Sequence, residues 1–273
     1  MAARTPTNTK PRPSLFRALG RHEPPQEIEI DGRWYQQIRI FKHDSWAATA
    51  LYRSATDTIV CKFNRTARIL GLPSAWLGRR LAQREGWFLQ TLAGVPGIPR
   101  AYRQIYADGR LLTNAVAHDY IEGTPLSLDQ KSSPQFFARL EQLLGELHRR
   151  RIAYVDLHKP ENVLVGADGR PYLIDFQISM SLPNIIGCNA LLRMLQRSDL
   201  YHMHKHRVWR LDNANFDEVM QAYRPWWIKL HRSIGVPFRT LRRRLLVLLG
   251  IRRGTGMAHT EQAVEPGLYR KSA

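Results

Sequence analysis

The alternation of apolar and polar residues changes character once along this chain. From Arg33 onward, "RWYQQIRIF", "ATALYR" and "DTIVCKF" are three β-rich runs separated by polar turns, a pattern that predicts strands of a small sheet. A helical stretch follows from Ala75 to Ala93. "LLTNAVAHDYIEG" supplies more strand, and Gly123-Thr124-Pro125 interrupts it. Next, "SSPQFFARLEQLLGELHRRR" opens with Ser and Pro at a helix start and repeats apolar residues at spacings of three and four, as a helix with one buried face does. "NVLVGADGRPYLIDF" reads as a hairpin turning at Gly166-Ala167-Asp168-Gly169, and the remainder is mainly helical. The class this predicts is α+β.

Length and composition narrow the possibilities. With 273 residues the chain can bury the core of one large domain or two lobes. Forty-one Lys and Arg stand against 23 Asp and Glu, a net charge of +18, so an anionic partner is expected, whether phosphate, nucleic acid or lipid. Cys61 and Cys188 lie far apart and read as two free thiols of a reducing compartment. The start, "MAARTPTNTKPRPSLFRALGRHEPP", lacks the apolar centre of an export signal and reads as a loose leader, and Thr255–Ala273 reads as a second flexible tail. The longest apolar run, Leu245 to Ile251, is far shorter than the roughly 20 residues that span a bilayer.

The predicted hairpin carries the chemistry. Its closure would set Asn162, just before the first strand, beside Asp175, at the end of the second. Carboxylate and amide oxygens suit a hard cation such as Mg²⁺, which completes its shell with substrate phosphates. Asp156, earlier in the same loop, would face that space and could orient an attacking hydroxyl. "HMHKH", with His202, His204 and His206, invites a metal reading, but alternate helical residues diverge by about 200°. A polar, partly protonated surface is the expectation there.

In order and type, these residues resemble the protein-kinase-like superfamily, whose catalytic loop reads D-L-K-P-E-N and whose metal-binding strand end reads D-F-G. Here they stand as Asp156-Leu157-His158-Lys159-Pro160-Glu161-Asn162 and Asp175-Phe176-Gln177. Lys62 in "TIVCKF" takes the place of the strand lysine that holds nucleotide phosphates, and Glu85 in "REGWFLQTL" that of its helix partner. "HDYIEGTPL" is similar to the interlobe hinge, where the backbone of Asp119 and Ile121 would bond adenine. The resemblance covers about Trp34 to Ile178. It implies a two-lobed fold: a leader (1–26), a nucleotide-binding N-terminal lobe (27–123), a catalytic C-terminal lobe (124–253) and a tail (254–273). It also implies ATP as donor, with Mg²⁺, or Mn²⁺ in its place, held by Asn162 and Asp175. Asp156 would be the catalytic base, and Lys159 would stabilise the γ-phosphoryl charge.

Departures from the family pattern refine the expectation. Lys42-His43-Asp44-Ser45-Trp46-Ala47 replaces the Gly-rich phosphate loop, so either Lys42 and the Ser45 hydroxyl compensate or the nucleotide binds more weakly. Tyr154 and Val155 replace the usual His and Arg before the catalytic Asp, which removes the partner of an activation-loop phosphate. One extra residue between Asp156 and Asn162 either displaces Lys159 or bulges outward and leaves its role intact. Gln177 replaces Gly after the metal-binding Asp.

No A-P-E motif or long activation segment follows Phe176, so the platform for a peptide is incomplete. From Lys205 to Arg253, twelve Lys or Arg face three Asp or Glu. In "FRTLRRRLLVLLGIRR", near Trp226 and Trp227, arginines flank an apolar face, which suits either an anionic membrane interface or a core helix with a solvated side. This combination resembles the bacterial lipopolysaccharide kinase group, the Kdo and heptose kinases, and Asp199 is similar to an Asp in their C-terminal helices. The implied acceptor is a hydroxyl of a glycolipid sugar at the cytoplasmic face of the inner membrane. An atypical Ser/Thr protein kinase and a non-catalytic pseudokinase are the alternatives. Nucleic acid is not expected as a partner.

Overall fold

The computed structural model describes residues 13–69, 71–102, 104–126 and 132–211. The predicted amphipathic stretch at 238–253, Trp226, Trp227 and the tail lie outside the described residues. The fold is α+β, and the described residues form two compact units: those up to Gly94 with Ile98–Ile121, and Val95–Gly97 with those from Glu122 onward. Among the described residues no helix is long and apolar enough to cross a membrane.

The first unit is an antiparallel sheet with one helix. Its elements are β1 (Glu27–Ile30), β2 (Arg33–His43), β3 (Ala47–Arg53), β4 (Thr58–Asn64), α1 (Ala75–Thr91), β5 (Ala101–Tyr102), β6 (Ile105–Ala107), β7 (Arg110–Leu111) and β8 (Ala115–Asp119). The strand order is β5-β8-β4-β3-β2-β1-β6-β7. β3 and β4 are buried along nearly their whole length, and Ile28, Tyr35, Ala50, Tyr52, Ile59 and Phe63 share one core. Two register irregularities interrupt the pairing of β2 with β3 and sharpen the local twist. α1 turns Gly78, Ala82, Glu85, Phe88 and Leu89 inward. Gly78 is obligatory there, because a Cβ at that position would lie 2.1 Å from the Arg65 carbonyl oxygen.

Part of the expected leader is seated on this unit. Ala18 is fully buried, its N–H donates to Asp44, and its carbonyl accepts from Thr66 and Ala67. A small apolar residue flanked by backbone partners anchors a segment whose composition alone reads as loose.

The second unit comprises β9 (Gly123–Pro125), α2 (Pro134–Arg149), β10 (Ile152–Ala153), β11 (Val163–Gly166), β12 (Pro171–Leu173), β13 (Met180–Ser181) and α3 (Ile186–Arg210). Ser133 caps α2 by accepting from Phe136 N–H, with Pro134 in the first turn. Phe136, Phe137, Leu140, Leu143, Leu144 and Leu147 form its buried stripe. β11 and β12 make the expected hairpin, with Val163 opposite Leu173, and Gly169 takes the left-handed turn conformation at φ 70°. β9 pairs with the other side of β11.

Candidate active site

In the first unit the structure joins Lys62 and Glu85. Lys62, in β4, pairs across the sheet with Thr49 and Val116, and its ammonium lies 3.2 Å from Glu85 Oε2 and 3.5 Å from Oε1. Both residues are buried. Opposite charges at this distance offset part of the cost of burying each.

Lys42 and Ser45 do not join this pair through any contact of their own. Lys42 Nζ sits 3.6 Å from Asp44 on the surface, and the Ser45 hydroxyl donates to Phe16 O at 3.3 Å. The turn between β2 and β3 is closed internally: Asp44 Oδ1 accepts from Trp46 N–H at 2.8 Å and Ala47 N–H at 3.0 Å. A Gly-rich loop would leave such amides for a phosphate, whereas here a carboxylate already holds them. The Ser45 hydroxyl and the neighbouring amides are thus engaged within the protein.

Asp119 is likewise engaged within the protein. Its N–H donates to Arg100 O at 2.9 Å, its carboxylate accepts from the Tyr102 hydroxyl at 2.8 Å, and its carbonyl lies 2.8 Å from His118 Nδ1. What remains for an adenine edge is the second lone pair of that carbonyl. Ile121 follows beyond the end of β8, half-buried.

In the second unit Asp156, Lys159 and Asn162 converge. Asp156 is 2 % exposed. Its Oδ2 accepts from Lys159 Nζ at 2.7 Å and from Asn162 Nδ2 at 2.8 Å. The extra loop residue thus leaves Lys159 in place, and His158, half exposed, brings Nδ1 to 3.3 Å from Oδ1. Among the described residues no hydrogen bond reaches Oδ1 itself. One oxygen is pinned; the other is buried without a hydrogen bond, which leaves a lone pair for a proton to be received or oriented.

Asn162 and Asp175 are brought side by side by the backbone. Ile174 N–H donates to Asn162 O at 3.1 Å, which sets Asp175 at the open end of the hairpin, half-buried and with φ 64°. Asp is among the residues that tolerate this region. Because Nδ2 of Asn162 donates to Asp156, its amide oxygen is the atom available to a ligand. No group of three His, Cys, Asp or Glu that could hold a metal occurs among the described residues. Two protein oxygens fit a hard cation that brings water and phosphate as its other ligands, and do not fit a closed zinc centre.

Support for the loop comes from residues that the sequence marked weakly or not at all. Asp199, in α3 and fully buried, accepts from Tyr154 N–H and Val155 N–H at 2.8 Å each and lies 3.1 Å from His148 Nε2. Val155 is thereby held at φ 69°, an outlier for a β-branched residue. The Tyr154 hydroxyl donates to Ile174 O and reaches Asn162 O at 3.4 Å, so the tyrosine ties together both ends of the hairpin.

His206 corrects the surface reading of the histidine run. It is buried, lies 2.7 Å from Leu157 O through Nε2 and 3.2 Å from an Arg210 nitrogen through Nδ1, and burial pushes its pKa down to about 3. His202, whose ring is 5.9 Å from that of His158, is shifted well down by burial too. Both are neutral because α3 faces the loop rather than water. Arg210 donates to Leu126 O at 3.1 Å, and burial lowers its pKa to about 10. The available signals were the Tyr154 hydroxyl and the apolar Tyr201 and Met203 beside the histidines.

No protein-family model matches this chain, and no curated protein matches it.

Proposed function

We propose that the chain is an ATP-dependent phosphotransferase of two-lobed protein-kinase-like fold, acting on a hydroxyl of a glycolipid sugar of the lipopolysaccharide type. The observation that carries the reading is the state of Asp156: buried, with Oδ2 fixed by Lys159 and Asn162 and Oδ1 without a hydrogen bond among the described residues. The acceptor hydroxyl gives its proton to Oδ1 while its oxygen bonds to the γ-phosphorus. The bond from that phosphorus to the bridging oxygen breaks, and ADP leaves with the electron pair. Lys62, braced by Glu85, would grip the α and β phosphates. Lys159 would offset charge on the transferring group. Asn162 and Asp175 would hold Mg²⁺, or Mn²⁺ in its place, whose contribution when bound is to neutralise phosphate charge.

Acceptor choice follows from the missing peptide platform and the basic charge, which also supports peripheral residence on the inner face of the cytoplasmic membrane. The second reading, a non-catalytic pseudokinase, is favoured by one observation: Asp44 already occupies the amides of the turn where phosphates would lie. To test the assignment, the chain is mixed with γ-labelled ATP, Mg²⁺ and either membrane glycolipid extract or soluble protein. Label in the glycolipid supports the proposal. Label in protein assigns an atypical Ser/Thr protein kinase, and nucleotide binding without transfer assigns the pseudokinase.

A further inference from the structure

The solvent face of α1 has a composition that folding does not explain. Trp76 is 57 % exposed and Trp87 is 47 % exposed, and Leu72, just before the helix, is 70 % exposed. Eleven residues at 100° each bring Trp87 to within about 20° of Trp76, roughly 16 Å further along the axis. The two indoles therefore lie in one stripe, with Arg80 and Gln83 exposed between them and Arg79 exposed alongside. Glu85 points the opposite way, into the unit, where it meets Lys62. From Arg65 to Tyr106 the sequence holds no other acidic residue.

A single exposed apolar residue is ordinary, but two tryptophans in register on one helix face form a patch. We infer that the outer face of α1, through Leu72, Trp76, Arg79, Arg80 and Trp87, is a docking surface for anionic phospholipid bilayers. The charge on this face has one sign and complements a surface of one opposite sign. Indole is the side chain that settles at the level of lipid headgroups, with its ring in the acyl boundary and its N–H toward water. A straight stripe parallel to the helix axis matches a plane, as an amphipathic helix lying in an interface does. Single-stranded nucleic acid would ask for aromatic rings along a basic groove that tracks its backbone. The inference does not rest on the phosphotransfer reading, and it places membrane contact on a different element from the basic stretch at 238–253.

The test is flotation of the full chain with vesicles of phosphatidylcholine, with and without phosphatidylglycerol, at physiological salt. Wild type is expected to float with the anionic vesicles alone. The Arg79→Gln/Arg80→Gln variant should bind more weakly on the order of 30-fold, and Trp76→Ser/Trp87→Ser should lose binding while retaining the wild-type thermal midpoint. Because these side chains are exposed, both pairs are expected to fold, and each checks the other. Wild type that stays with the soluble fraction overturns the inference, as does undiminished flotation of both variants, which would assign binding to the basic C-terminal stretch. Loss of single-stranded RNA binding in the variants, with vesicle binding intact, would also overturn it and make the face a nucleic-acid site.

Discussion

Replacing Asp199 with alanine would remove a fully buried carboxylate that accepts from the N–H groups of Tyr154 and Val155 and contacts His148. Alanine leaves those two amides without their acceptor, and each buried donor so orphaned costs about 1–3 kcal/mol. Against this, the loop could relax Val155 from φ 69° and recover part of the roughly 1–3 kcal/mol that such a conformation stores. The balance is a loss of about 2–4 kcal/mol, a large share of the roughly 5–15 kcal/mol that holds a typical domain folded. Asp199→Asn keeps one acceptor oxygen but turns an NH₂ group toward an N–H, so it should fall between wild type and alanine. Urea denaturation followed by circular dichroism and tryptophan fluorescence measures both. Relaxation of Val155 would also move Asp156, so phosphotransfer should fall in the asparagine variant even where it remains folded. A stability change below about 0.5 kcal/mol in Asp199→Ala, as at an ordinary surface position, would refute the reasoning.

Other consequences are equally measurable. Lys62→Ala or Glu85→Ala alone breaks a buried ion pair and should cost about 3–5 kcal/mol, whereas Lys62→Met with Glu85→Leu should recover most of that in a double-mutant cycle; strictly additive losses would contradict the pairing. His206, with a folded pKa of about 3 against an ordinary 6.5, binds its proton in the unfolded chain first. Stability should therefore fall as pH drops from about 6.5 towards 3, with a limiting slope near 1.4 kcal/mol per pH unit from this group. His202 acts in the same direction. His206→Gln should flatten the acid limb of a urea-midpoint profile by about one proton, and an unchanged limb would place the histidine in water. Gly78→Ala would drive a Cβ against the Arg65 carbonyl, so a loss of about 1–3 kcal/mol is expected; a neutral thermal shift would mean that α1 does not approach that strand end so closely.

The parts that were legible are those where one physical pattern repeats or closes locally. The apolar spacing of α2 together with Ser133 and Pro134 marks its start, and Gly169 marks a turn between two strand-like runs. Short elements carry no period, so β1, β6 and β7 could not be read although they complete one side of the sheet. α3 begins at Ile186, earlier than its polar periodicity suggests, and no side-chain cap announces it. Tertiary context accounts for the remaining differences. His202, His204 and His206 look polar in one dimension, but α3 turns them towards the loop and the core. Asp44 resembles any turn residue until its carboxylate is seen holding two amides. Nothing local distinguishes Asp199, whose partners are 44 and 45 residues away.

The central claim is that Asp156, with one oxygen pinned and the other free of hydrogen bonds from the described residues, accepts the proton of an attacking hydroxyl. Its most direct test compares wild type with Asp156→Asn for transfer of γ-label from ATP to glycolipid extract, after confirming equal thermal stability and equal nucleotide binding. The account predicts labelled glycolipid from wild type and a rate lower by about 10²- to 10⁴-fold in the variant. Equal labelling by the two proteins would contradict it.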